Sequence, residues 1–173
     1  MNTKFYLVAK KNLEYIKSNI TDDKYLNNLL YANIITILET YLYNLFVFLL
    51  HNDFKLLKKL TTSSKFKNQK IPLKLALTNI EKYIIEMIKG LNYHNLSDIE
   101  PLFREVLDIK IDYNEKIIET IDIRHNIIHR NGYDKGGKIV NISKEEFLKT
   151  INLFSIFILE IDKQIIKKYN VKD

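Results

Sequence analysis

Ile117-Ile118-Glu119-Thr120-Ile121-Asp122-Ile123-Arg124-His125-Asn126-Ile127-Ile128-His129-Arg130-Asn131-Gly132 runs from a series of isoleucines into a cluster of charged and ionisable side chains. The isoleucines recur at three- and four-residue spacing, which predicts one helix over 113–129 with Gly132 as its stop. Each helical residue turns by about 100°, so Ile117, Ile121 and Ile128 fall on one narrow stripe. His125 then lies between Ile121 and Ile118, and Arg124 borders the stripe. A guanidinium and an imidazole among isoleucines lose hydration, and specific partners or a functional cleft must compensate that loss.

The rest of the chain reads as a frame for this helix. With 173 residues and 46% hydrophobic content, the chain can bury one sizeable core, and a single domain over 1–173 is expected. Four glycines and two prolines are too little turn chemistry for a sandwich or barrel. The expected class is therefore all-α, a bundle of long antiparallel helices with one very short extended segment after the motif. No cysteine is present, which excludes disulfides and thiolate metal sites. The net charge of +6 favours a polyanionic partner. Residues 1–11 lack a signal-peptide pattern, and the apolar stretch 34–50 is short and carries Glu39 and Asn44. A core helix rather than a membrane span is expected, with no membrane partner and a cytoplasmic location.

A first helix over 3–18 turns Phe5, Ala9, Leu13 and Ile16 inward. Thr21-Asp22-Asp23 caps a long second helix reaching about His51, with Leu26, Leu30, Ile34, Ile37, Tyr41, Leu45 and Phe48 near heptad spacing. Glu39 beside that run reads either as a solvated or hydrogen-bonded side chain or as a counter-charge for Arg124. A brief helix over 53–60 leads into an exposed polar loop over 61–65, where Lys65, Lys67 and Lys70 are either solvated or available to phosphates. Leu73, Leu77, Ile80, Ile84 and Ile88 predict a helix over 72–89 ending at Gly90. A helix after Ser97 turns Ile99, Phe103, Val106 and Leu107 inward and leads straight into the motif helix. Beyond Gly132, 133–137 is a turn, and in 138–142 Ile139 and Val140 touch the bundle. Ser143 and Glu146 form a capping box for a final helix with Phe147, Ile151, Phe154, Ile158, Ile161 and Ile165 inside. Leu148, Ile156, Phe157 and Ile166 widen its apolar surface enough for a subunit contact.

Two chemistries compete for the histidines. Asp122, His125 and His129 stand at i, i+3 and i+7 and could share a metal on one face, but Arg124 and Arg130 oppose a cation. The other chemistry is acid–base cleavage of RNA, whose 2′-hydroxyl is a built-in nucleophile. Such cleavage needs a proton carrier and a cation for the phosphorane, with no metal or cofactor. Arg124 and His129 are five residues apart and do not converge along one helix, whereas an isologous homodimer can gather two of each in one cleft. A purely structural alternative has Arg124 and His125 hydrogen-bonded across the bundle or dimer, fixing its register.

Arg124-x-x-x-x-His129, near the end of a late helix and followed by Gly132, a turn and a long last helix, resembles the HEPN superfamily (higher eukaryote and prokaryote nucleotide-binding domains) over nearly the whole chain. The resemblance implies a helical bundle that dimerises around the motif. In many members it also implies a metal-independent endoribonuclease in toxin–antitoxin, abortive-infection or other defence settings. Residue by residue, it puts the catalytic arginine on Arg124, the catalytic histidine on His129, the polar position after the arginine on His125, and a neighbouring helper on Asn126. One subgroup has a tyrosine two residues after the histidine that a partner antitoxin modifies; here that position is Asn131, and Tyr133 lies two residues further on. Some members are non-catalytic, so a dimeric module binding nucleic acid, nucleotide or protein is the alternative function.

Overall fold

The computed structural model describes residues 2–78 and 80–171, with the side chains of Leu75, Ala76 and Thr78 left aside. The described residues form α1 (Lys4–Ser18), α2 (Lys24–Asn52), α3 (Phe54–Thr62), α4 (Leu73–Thr78), α5 (Ile80–Lys89), α6 (Leu96–Leu107), α7 (Glu115–His129) and α8 (Lys144–Tyr169). The class is all-α. The expected helix over 72–89 is seen as α4 and α5 on either side of Asn79, which lies outside the described residues. Two compact units are distinguished, one of residues 1–41 and 112–173, the other of residues 42–111.

The first unit contains α1, the first part of α2, α7 and α8, with α1 and α7 both packed on α8. The Ser143 hydroxyl accepts the Glu146 N–H at 3.1 Å and starts α8, whose predicted inward residues from Phe147 to Ile165 are all buried. Asp23 caps α2 by accepting the N–H groups of Tyr25 and Leu26. The rings of Tyr31 and Phe147 meet edge to face at 5.3 Å, tying α2 to α8. On α1 the inward residues are Tyr6, Ala9, Leu13 and Ile16, so Tyr6 takes the place expected for Phe5. Leu26, expected inside, is exposed on the first turn of α2.

Asp162 is buried among these apolar side chains. Its carboxylate accepts the Thr3 N–H at 3.0 Å, the Thr3 hydroxyl, and the Tyr41 hydroxyl at 3.1 Å, which together replace its hydration. Burial, and after it the Asp162 charge, pushes the Tyr41 hydroxyl well above its ordinary value, so it remains a donor.

In the second unit α3 packs on α6, and Phe46 and Phe103 stack at 5.0 Å. Ile99, Phe103, Val106 and Leu107 are buried as expected. The expected exposed loop over 61–65 is instead partly helical and anchored. Thr61 and Thr62 extend α3, Ser63 and Phe66 are buried, the Ser64 N–H donates to Glu105, and Lys65 pairs with Asp98 at 2.9 Å. Leu73 and Leu77 are 75% and 79% exposed, so α4 does not continue the buried face of Ile84 and Ile88. α6 does not lead straight into α7. Asp108 adopts a left-handed conformation (φ 52°) that ends α6, and Ile109 and Ile111 are buried in the connecting segment.

α2 is long and apolar enough to cross a membrane by length and composition, with a mean hydropathy of 1.6 over its best window, but 56% of that window is buried inside the fold. Ile34, Ile35, Leu38, Leu42, Leu45 and Phe46 are fully enclosed, as a core helix requires.

Candidate functional site

α7 begins at Asn114, whose side chain accepts the Ile117 N–H at 3.1 Å. Its buried residues are Ile117, Thr120 and Ile127. The buried face therefore differs from the narrow Ile117, Ile121 and Ile128 stripe, since Ile128 is 47% exposed, and Ile118 is exposed too, at 39%. Thr120 tolerates burial because its hydroxyl donates to the Lys116 carbonyl at 2.8 Å. Ile118, His125 and Ile128, spaced seven and three apart, share the uncovered side of the helix.

The helix ends on two consecutive left-handed residues, Asn131 (φ 51°) and Gly132 (φ 81°), and the N–H groups of Arg130 and Gly132 both donate to the Asn126 carbonyl at 3.1 Å. The chain then closes a small hairpin, with an isolated antiparallel bridge between Tyr133 and Ile139 and bonds from Asp134 N to Lys138 O and from Val140 N to Gly132 O, each 2.8 Å. This is the short extended segment expected after the motif. Ile139 is 70% exposed, so its role is the bridge and not the expected contact with the bundle.

Two i,i+4 pairs organise the end of α7. The imidazole rings of His125 and His129 are 4.7 Å apart between centroids, tilted by 45°. Arg130 Nη1 donates to Asn126 Oδ1 at 2.7 Å. His125 is held below its ordinary pKa, first by lost hydration and then by the charges of Arg130, His129 and Arg124, with Asp122 opposing. Arg124 is half-buried, and its Nε is buried without a hydrogen-bond partner among the described residues. A buried N–H of this kind costs free energy unless something outside the chain completes it.

The structure thus pairs His129 with His125 and gives Asn126 to Arg130. A cavity of about 510 Å³ opens beside these pairs, lined by Asp122, His125, Asn126, Arg130, Asp134 and Lys135 among others. Arg124 and His129 are not part of its lining. Arg130 and the hairpin residues were not among the sequence candidates; the available signal was the four-residue spacing of Asn126 and Arg130. Among the described residues, no three His, Asp, Glu or Cys side chains are placed to hold a metal ion, so Asp122 does not join the two histidines as a third ligand. A separate concavity, of about 540 Å³, is lined by Tyr31, Thr120 and Thr150 and by the ion pairs Lys116–Glu119 and Lys149–Glu145.

Compared with protein-family models, curated proteins and solved structures, the chain matches none.

Proposed function

We propose that this protein is a metal-independent endoribonuclease of the HEPN-like kind, cutting RNA at a site completed by a second copy of the chain. One observation carries the reading. The contacting imidazoles of His125 and His129 share the end of α7 with Arg124, whose buried Nε lacks a partner, on a helix whose uncovered side bears Ile118 and Ile128. His129 takes the proton of the 2′-hydroxyl, O2′ attacks phosphorus, and the P–O5′ bond breaks as O5′ receives a proton from an imidazolium. A 2′,3′-cyclic phosphate and a 5′-hydroxyl result. Attacking and leaving oxygens stand on opposite sides of phosphorus, whereas His125 and His129 lie side by side, so the acid comes from the second copy. Arg124 balances the charge of the phosphorane, and His125 and Asn126 position their neighbours. The toxin or defence setting and the cognate antitoxin follow from the resemblance alone.

The test is cleavage of RNA by the purified protein in excess chelator, compared with His129→Ala. Cyclic-phosphate ends from the wild type and their loss in the variant are expected. Activity that requires a divalent ion, or that persists in His129→Ala, overturns the proposal. The exposed Ile118 and Ile128 on α7 and the exposed Tyr133 just beyond it favour a second reading, a non-catalytic dimeric module for nucleic acid, nucleotide or a partner protein. That reading holds if no cleavage occurs while variants of Arg124 and His129 lose dimerisation or partner binding.

A further inference from the structure

The 510 Å³ cavity beside the histidine pair is lined by two cations, Arg130 and Lys135, and two carboxylates, Asp122 and Asp134. Their formal charges cancel. A phosphate placed there would meet both carboxylates, whereas a neutral ring with acceptors on one edge and donors on another would match the lining. We infer that this cavity is a guanine-binding pocket, a reading that rests on RNA being the substrate and that makes guanine the preferred base next to the cut.

The hydrogen-bonding arrangement selects among the bases. Arg130 has one N–H committed to Asn126 Oδ1 at 2.7 Å, which fixes the guanidinium at the cavity and leaves its other donors for two acceptors side by side. Guanine presents such a pair, O6 and N7. Adenine replaces O6 with an amino donor, which the Arg130 fork cannot bind, and Asn126, the residue suited to read adenine, is turned to Arg130 by their 2.7 Å bond. Guanine's N1–H and N2–H groups then need a carboxylate. Asp134 Oδ1 already accepts the Gly136 N–H at 2.8 Å and the Lys138 N–H at 2.9 Å, which holds that carboxylate in the hairpin turn with only Oδ2 to offer, whereas Asp122 can meet the N1–H and N2–H pair with both oxygens and is the acceptor. The exposed imidazole of His125 gives the base a π surface to stack on.

The experiment uses short 2′-O-methyl oligonucleotides, which cannot be cleaved, carrying guanine, 7-deazaguanine or adenine at one central position in an otherwise uridine strand. Affinity for the full-length wild-type chain should fall about ten-fold from guanine to adenine and partly for 7-deazaguanine, which lacks N7. Arg130→Lys, which keeps the charge and loses the fork, and Asp122→Asn should each abolish that preference, so that the guanine and adenine strands bind alike. Equal wild-type affinity for all three strands overturns the pocket. So does an Arg130→Gln variant that weakens every strand alike and flattens the salt dependence, which would identify a phosphate seat. A guanine preference without cleavage of the matching ribose strand leaves the pocket standing and removes the endoribonuclease reading. Cleavage without base preference does the reverse.

Discussion

His125 and His129 face each other across one helical turn, their ring centroids 4.7 Å apart, and its surroundings hold His125 below the ordinary histidine pKa. Partial loss of hydration lowers its pKa most, and the Arg130 guanidinium is the next contributor. Proton NMR should therefore place the His125 midpoint below the ordinary histidine value, and Arg130→Gln should move it upward. An unmoved midpoint in that variant would refute the electrostatic account. The sign for stability follows: as pH falls through the ordinary histidine range, the unfolded chain takes up this proton before the folded one, so acidification weakens the fold.

For catalysis, replacing either Arg124 or His129 by alanine should lower RNA cleavage by about 10²–10⁴-fold with helicity unchanged. Single-turnover assays in chelator measure this loss. His125→Ala should cost less, because that residue positions its neighbours; an equal loss would show that it carries a proton.

The uncovered side of α7 makes a prediction about assembly. Ile118 and Ile128 are exposed in the single chain, and a two-fold contact along this helix would cover them. Ile128→Asp should convert a dimer into a monomer in light scattering at micromolar concentration, with the circular dichroism of the wild type. A wild-type monomer, or a dimer indifferent to the substitution, would count against a motif-centred interface.

Asp162 gives a stability prediction independent of function. Its three donors, Thr3 N–H, the Thr3 hydroxyl and the Tyr41 hydroxyl, would be left buried and unpaired by Asp162→Ala. The expected loss is about 3–5 kcal/mol, read from urea unfolding. A loss under about 1 kcal/mol would mean that water or rearrangement satisfies the donors as well as the carboxylate does.

Much of this arrangement is local and legible in one dimension. Ser143 and Glu146 announce the start of α8, its apolar spacing lists the buried residues in advance, and Gly132 marks where α7 must stop because φ 81° strains any residue with a side chain. The gathering of Arg124, His125, Asn126 and His129 at one helix end is likewise a matter of spacing. Asp162 was missed because an acidic residue at an apolar position is unfavourable until three donors, two of them on a residue 159 positions away, are brought to it.

What the sequence settled by itself was the all-α class, most helix limits and the crowding of ionisable groups after the isoleucines. The face that α7 buries was decided only in three dimensions. A helix with isoleucines at 117, 118, 121, 123, 127 and 128 has apolar residues on more than one side, so periodicity admits both an Ile117–Ile121–Ile128 stripe and an Ile117–Thr120–Ile127 stripe. Packing against α8 chose the second, leaving His125 and Ile128 uncovered. The role of Arg130 was decided in the same way: its tie to Asn126 follows from helical spacing, but the cavity it lines exists only because the Tyr133–Ile139 bridge folds the hairpin back beside the helix.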